Sequence, residues 1–80
     1  MYYVYVIKSR IDGRLYKGLT EDPERRLKEH NSGKTKSTRP YKPWKIIFTE
    51  EFENLKKARI REKYLKSGIG REFLKSIMDP

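Results

Sequence analysis

The chain has 80 residues, and its 20 Lys and Arg against 11 Asp and Glu leave a net charge of +9 with the single histidine neutral. That length fits one domain, residues 1–80, and leaves no room for a second. With no cysteine, disulfides, thiolate metal sites and a cysteine nucleophile are excluded, which suits a reducing compartment.

The longest apolar run near the N-terminus falls far short of a membrane span, and no basic leader with a small-residue cleavage site precedes it. A soluble, cytoplasmic protein without membrane partners is therefore expected. Surplus positive charge is often merely a solvated surface, but an imbalance this large in so short a chain favours a phosphate-bearing polyanion as partner.

Tyr2 to Ile7 is continuously apolar or aromatic and rich in β-branched residues, which predicts a central strand covered on both faces. Asp12-Gly13 is a hairpin signal, because a two-residue turn needs positive φ and this pair tolerates it. The partner strand is then Arg14 to Leu19, with Ile11 facing Arg14 across the turn. In that register odd positions of the first strand share a face with even positions of the second, so Tyr3, Tyr5, Tyr16 and Gly18 lie together. Val4, Val6, Leu15 and Leu19 take the opposite face. A longer turn that preserves this parity keeps the result.

Asp22-Pro23 starts a helix, with Asp22 as cap, Pro23 in the first turn and Glu24 complementing the dipole. Gly33 ends it. Leu27 is its apolar anchor, and Arg26 and His30, spaced i, i+4, project from one side. Lys34 to Pro43 reads as a basic loop, and Trp44 to Glu50 as a third strand. A second helix runs from about Asn54 to Lys66 with Leu55, Ala58 and Leu65 on one stripe. Glu62 falls on that stripe, so a carboxylate turns inward where an apolar side chain would be expected. Ser67-Gly68 and Gly70 read as stops, and Arg71 to Met78 as a short helix burying Phe73, Leu74 and Ile77.

Phosphodiester hydrolysis needs a group that takes a proton from water, a cation facing the phosphoryl oxygens, and usually a metal held by a carboxylate. Tyr5 and Tyr16 are candidates for the proton and Arg26 for the phosphate. Glu62 is the candidate for a hydrated Mg²⁺, an ion that needs few protein ligands. His30 serves either as proton acceptor or as a hydrogen-bond partner orienting a tyrosine. Each has an ordinary alternative: tyrosines that merely pack, a solvated arginine, a boundary histidine, and a glutamate paired with Lys66 or with a buried arginine.

Tyr3-Val4-Tyr5 and Tyr16-Lys17-Gly18, followed by Arg26, His30 and a helical Glu62 after the third strand, resemble the GIY-YIG nuclease superfamily. The resemblance covers essentially the whole chain. It is closest to the small stand-alone bacterial members, through Glu24 to Lys34 and Arg61 to Lys66. It implies an α+β fold with a three-stranded antiparallel sheet flanked by about three helices, and DNA cleavage dependent on a single divalent metal, Mg²⁺ or Mn²⁺. By position, Tyr5 and Tyr16 are the motif tyrosines, one of them near the attacking water. Arg26 stabilises phosphate charge, Glu62 binds metal, and Gly18 keeps the backbone close to the site.

Tyr3 stands where the family has a glycine, and Lys17 where it has an apolar residue, so Lys17 is expected to snorkel or to lie at an edge. Many active members carry a late asparagine. None follows Asn54 here, and Ser76 is a candidate stand-in. Nucleic-acid contacts are expected from Lys17 and Gly18 and from the basic segment Lys34, Lys36, Arg39, Lys42 and Lys45, which would hold backbone phosphates without reading sequence. The leading expectation is a metal-dependent DNA endonuclease linked to repair or recombination, with RNA as an alternative substrate. A non-catalytic nucleic-acid-binding module on the same basic surface is the runner-up, and an adaptor for an acidic protein the third. Oligomeric state is not legible.

Overall fold

The computed structural model describes residues 1–78. Three strands form one antiparallel sheet: β1 (Tyr2–Ser9), β2 (Leu15–Thr20) and β3 (Trp44–Phe52), in the order β2-β1-β3. Helix α1 (Pro23–Ser32) and a short 3-10 turn (Arg39–Tyr41) separate β2 from β3, and α2 (Leu55–Leu65) and α3 (Gly68–Met78) follow. The fold is α+β. The basic run after α1 is thus not wholly irregular.

The hairpin turn is longer than the two-residue turn expected at Asp12-Gly13. Ser9 N–H donates to the Arg14 carbonyl at 2.9 Å and Gly13 N–H to the Ser9 carbonyl at 3.0 Å, leaving Arg10 to Gly13 as the loop. Side chains favour this wider closure: Ser9 Oγ accepts from Ile11 N–H at 3.1 Å and Asp12 Oδ1 from Arg14 N–H at 3.1 Å. Gly13, with φ of 80°, supplies the left-handed residue. The pairing has slid along the strand by an even step. Tyr5 opposes Gly18 and Ile7 opposes Tyr16, so the expected partition of faces survives.

Each sheet face therefore acquires its own cluster. Val4 and Val6 pack with Ala58 and Leu65 of α2 and Leu74 of α3. Tyr5 and Ile7 pack with Trp44, against Tyr16, Leu27, Tyr41 and Ile46. A bulge at Val6/Ile7 places Phe48 opposite Val6 but Ile46 opposite Ile7, so a single run of β3 serves both clusters.

Local chemistry sets the helix ends. Asp22 accepts from Arg25 N–H at 3.1 Å with Pro23 in the first turn, and Gly33 closes α1 with φ of 87°. Asn54 caps α2, accepting from Lys56 N–H at 2.7 Å. Two expectations for the C-terminal segment need correction. Gly70 is not a stop but a buried residue inside α3, where a Cβ would lie 2.5 Å from the Leu65 Cα; glycine lets α3 cross the end of α2 at close range. Ile77 is 43% exposed, outside the cluster that Phe73 and Leu74 join. No helix among the described residues is long and apolar enough to cross a membrane.

Candidate active site

β2 is an edge strand, and a cleft of about 430 Å³ forms along it. Four separate elements supply its candidate side chains: Tyr5 from β1, Tyr16 to Leu19 from β2, Arg26 from α1, and Arg59 and Glu62 from α2 with Lys66 at its C-terminal cap. The even-step register carries Tyr5 and Tyr16 to one face, with ring centroids 6.3 Å apart. Gly18 is required by this arrangement, because a Cβ there would come within 2.6 Å of the Tyr5 hydroxyl. The tyrosine ring lies across the space that any other side chain would fill.

His30, in the last turn of α1, is fully buried rather than at the boundary. Its Nε2 lies 2.9 Å from the Tyr5 hydroxyl and its Nδ1 2.8 Å from Thr38 Oγ1. The edge of its ring meets Tyr16, at a centroid separation of 4.9 Å. One turn earlier, Arg26 Nη1 donates to Glu29 Oε1 at 2.8 Å. Glu62 approaches from α2 with its side chain 24% exposed, accepting from Lys66 Nζ at 3.3 Å across one helical turn.

The electrostatics follow from burial and from the surplus of cations. Burial raises the Tyr5 pKa above its ordinary value, Arg26 beside the hydroxyl partly offsets this, and Tyr16 and Glu62 add to the rise. Tyr5 is a phenol, not a phenolate, at neutral pH. The Arg26 pKa is raised, chiefly by its bond to Glu29, so this cation is permanent. Burial and then Arg26 lower the His30 pKa, with Glu29 opposing. The Lys17 pKa is lowered by burial and by the proximity of Arg71 and Lys66. As expected for the core-facing position of an edge strand, the Lys17 side chain is half-buried and reaches the cleft.

Two expected groups lie elsewhere. Lys34, Lys36, Arg39, Lys42 and Lys45 are exposed and do not line the cleft. Ser76 is also exposed, and its hydroxyl donates to the Phe73 carbonyl at 2.6 Å on its own helix, so it does not stand in for a site asparagine. Tyr3, on the expected face, turns its hydroxyl to Glu51 Oε1 at 3.1 Å. Lys66 pairs with Glu62 as the ordinary reading of that glutamate has it, whereas Arg59 was missed, although its spacing of three residues puts it on the Glu62 side of α2. Sequence reasoning also missed Thr38, which no pattern in a polar run could have marked.

The donor set bears on any divalent metal. Among the described residues no cluster of three His, Cys, Asp or Glu exists, so the cleft offers a single carboxylate surrounded by Lys17, Arg26, Arg59 and Lys66. That is too little for an ion stripped of water. It would suit a hydrated divalent ion that needs few protein ligands, with Glu62 as the residue that would hold it.

Residues 1–72 match the model of the GIY-YIG catalytic domain. A UPF0213 protein of Clostridium perfringens is 45% identical over 67 residues, covering 82% of this chain and 71% of the relative. One from Staphylococcus saprophyticus is 33% identical over 79 residues, covering 98% and 95%. Among solved structures, the solution NMR structure of a UPF0213 protein from Bacillus halodurans matches with a TM-score of 0.58 at 37% identity, over 96% of this chain and 85% of that one. From the motif tyrosines of the hairpin to the glutamate of α2, the chain belongs to the GIY-YIG domain family.

Proposed function

We propose that this chain, as one GIY-YIG domain, is a metal-dependent endonuclease that hydrolyses phosphodiester bonds in DNA, acting in the cytoplasm in repair or recombination. The observation that carries this reading is the convergence of Tyr5, Tyr16, Arg26 and Glu62 from four elements on one cleft at an open sheet edge. An edge strand leaves room for a nucleic-acid backbone, which a buried strand would not. Arg26, braced by Glu29, faces the phosphoryl oxygens as a cation that cannot be neutralised. Lys17, Arg59 and Lys66 extend that field along the backbone, and their attraction carries no sequence preference. Gly18 allows close approach. Tyr5, held by His30, and Tyr16 beside it orient the attacking water. Glu62 would hold the metal, which when bound supplies Lewis acidity at the phosphate and a more acidic water.

A second reading, a nucleic-acid-binding module without catalysis, draws on the Lys66–Glu62 ion pair, since a carboxylate committed to a lysine is less available to a metal. The same experiment separates the two. Supercoiled plasmid and branched DNA and RNA duplexes are incubated with the protein, with Mg²⁺, Mn²⁺ or EDTA. Metal-dependent nicking, abolished by Glu62→Ala and Arg26→Ala and reduced by Tyr5→Phe, is expected. Salt-sensitive binding with no cleavage under either metal would refute the enzyme and leave the binding module.

A further inference from the structure

Thr38 lies in the basic run between α1 and β3, where most side chains are exposed, yet it is 1% exposed. The run is fastened around it. Trp44 Nε1–H donates to the Thr38 carbonyl at 3.0 Å. Asn31 Nδ2 donates to the Trp44 carbonyl at 3.1 Å while Trp44 N–H donates to Asn31 Oδ1 at 2.6 Å, and the Ser9 hydroxyl donates to the Tyr41 carbonyl at 2.6 Å. A threonine held so firmly in an otherwise solvated segment has one side-chain neighbour of chemical interest, His30 Nδ1 at 2.8 Å.

The ends of this chain of hydrogen bonds set its direction. At the inner end the Thr38 hydroxyl lies 3.4 Å from the Thr35 carbonyl, which can only accept. A hydroxyl donating there receives the Nδ1–H of His30, and the bare Nε2, 2.9 Å from Tyr5, then accepts the phenolic proton. At the outer end Tyr5 lines the same cleft as Arg26, whose positive charge acts on the phenol and whose guanidinium can only donate. An outward-pointing phenolic proton would face another donor; an inward one leaves a lone pair for Arg26.

We infer that Thr38 is a positioning residue: by accepting Nδ1–H it fixes the tautomer of His30, which holds the Tyr5 proton inward and turns the oxygen lone pairs towards the cleft. On the endonuclease reading, which this consequence rests on, an oxygen presenting lone pairs can align a proton of the attacking water. One presenting its proton cannot.

His30 is the only histidine of the chain, so long-range ¹H–¹⁵N correlation spectra of labelled protein report its tautomer without ambiguity. Above its titration range, Nδ1 is expected to resonate as protonated and Nε2 as bare; the reverse pattern overturns the inference. Thr38→Val keeps the shape and removes the hydroxyl. It is expected to shift the ring towards Nε2–H and to lower kcat for metal-dependent nicking on the order of tenfold at unchanged KM, and Thr38→Ser to restore both. A Thr38→Val protein that keeps the Nδ1–H pattern overturns it too. Should that variant not fold, the spectra of the native protein and of Thr38→Ser decide the tautomer. Absence of any cleavage by the native protein defeats the nuclease reading and the catalytic role with it, while the spectra still decide the network.

Discussion

On one side of the sheet Val4 and Val6 meet Ala58, Leu65 and Leu74, all fully buried and all apolar. On the other, Tyr5, Ile7 and Trp44 share the interior with Ser9, His30 and Thr38, whose polar groups are all hydrogen-bonded. The first side is held by area and close packing, which are non-directional and forgiving of the residues chosen. The second is held by bonds that work in one geometry only, and a half-satisfied version would be worse than an apolar core. The division suits a small domain: stability comes from the dry side, and the network side fixes the tyrosines against the cleft.

The comparison breaks most visibly at Leu65. Truncation to alanine in a fully buried position is expected to cost about 2–5 kcal/mol, a large share of the roughly 0.05–0.15 kcal/mol per residue available to a domain. Urea unfolding measures it. Under conditions where the variant remains folded, its affinity for duplex DNA at low salt is expected to match the native protein. A cost below about 1 kcal/mol would mean that the dry side is not the main source of stability.

Gly18→Ala strikes the other side with a smaller structural change. The added Cβ would meet the Tyr5 hydroxyl at 2.6 Å and its ring carbons at 2.7 and 2.8 Å, so the ring must leave the position in which it bonds His30. Overpacking of this kind costs about 1–3 kcal/mol. The loss of nicking is expected to exceed what that destabilisation explains, because the displaced group is one to which the proposed reaction gives a role. Native stability together with native cleavage in Gly18→Ala would show that the tyrosine does not need its place across the glycine.

The dry side was largely legible in the sequence, and the network side only in part. Alternation in β1 and the stripe of α2 announce their apolar partners, because burial acts on every second or every third to fourth residue whatever the partner is. The caps at Asp22 and Asn54 were equally plain, being local chemistry. The turn was misplaced because Ser9 and Asp12 satisfy loop amides that the two-residue signal ignores, yet the shared face of Tyr5 and Tyr16 survived, since an even slip preserves parity. Gly70 looked like a stop because the same residue type serves close packing. Glu62 was marked by an inward position. Thr38 was unreadable because its partner, His30, lies on another element and contact of that kind leaves no period. The basic segment from Lys34 to Lys45 is plain in composition, but composition reports charge and not where it points, so its place outside the cleft left no mark in the sequence.

The gentlest test acts through pH. Burial and Arg26 lower the His30 pKa below 6.5, against a smaller opposing effect of Glu29, while its direct partners Tyr5 and Thr38 bring no charge at neutral pH. Between that unfolded value and the lower folded one, the unfolded chain binds more protons, so stability rises with pH in this window. The contribution of His30 is complete above about pH 6.5, declines as pH falls towards the folded value, and changes no further below it. Glu29 and Asp12 are lowered from 4.5 and 3.8 and so act in a more acid range. Urea unfolding from about pH 8 to about pH 5 should therefore show a plateau and then a fall. His30→Gln is expected to lower the plateau but flatten the fall. Leu65→Ala, on the dry side, is expected to lower the whole curve and keep its shape. Equal slopes in the native protein and His30→Gln would mean that the buried imidazole is not the group that titrates, and that the two sides of the sheet do not differ in the way their side chains suggest.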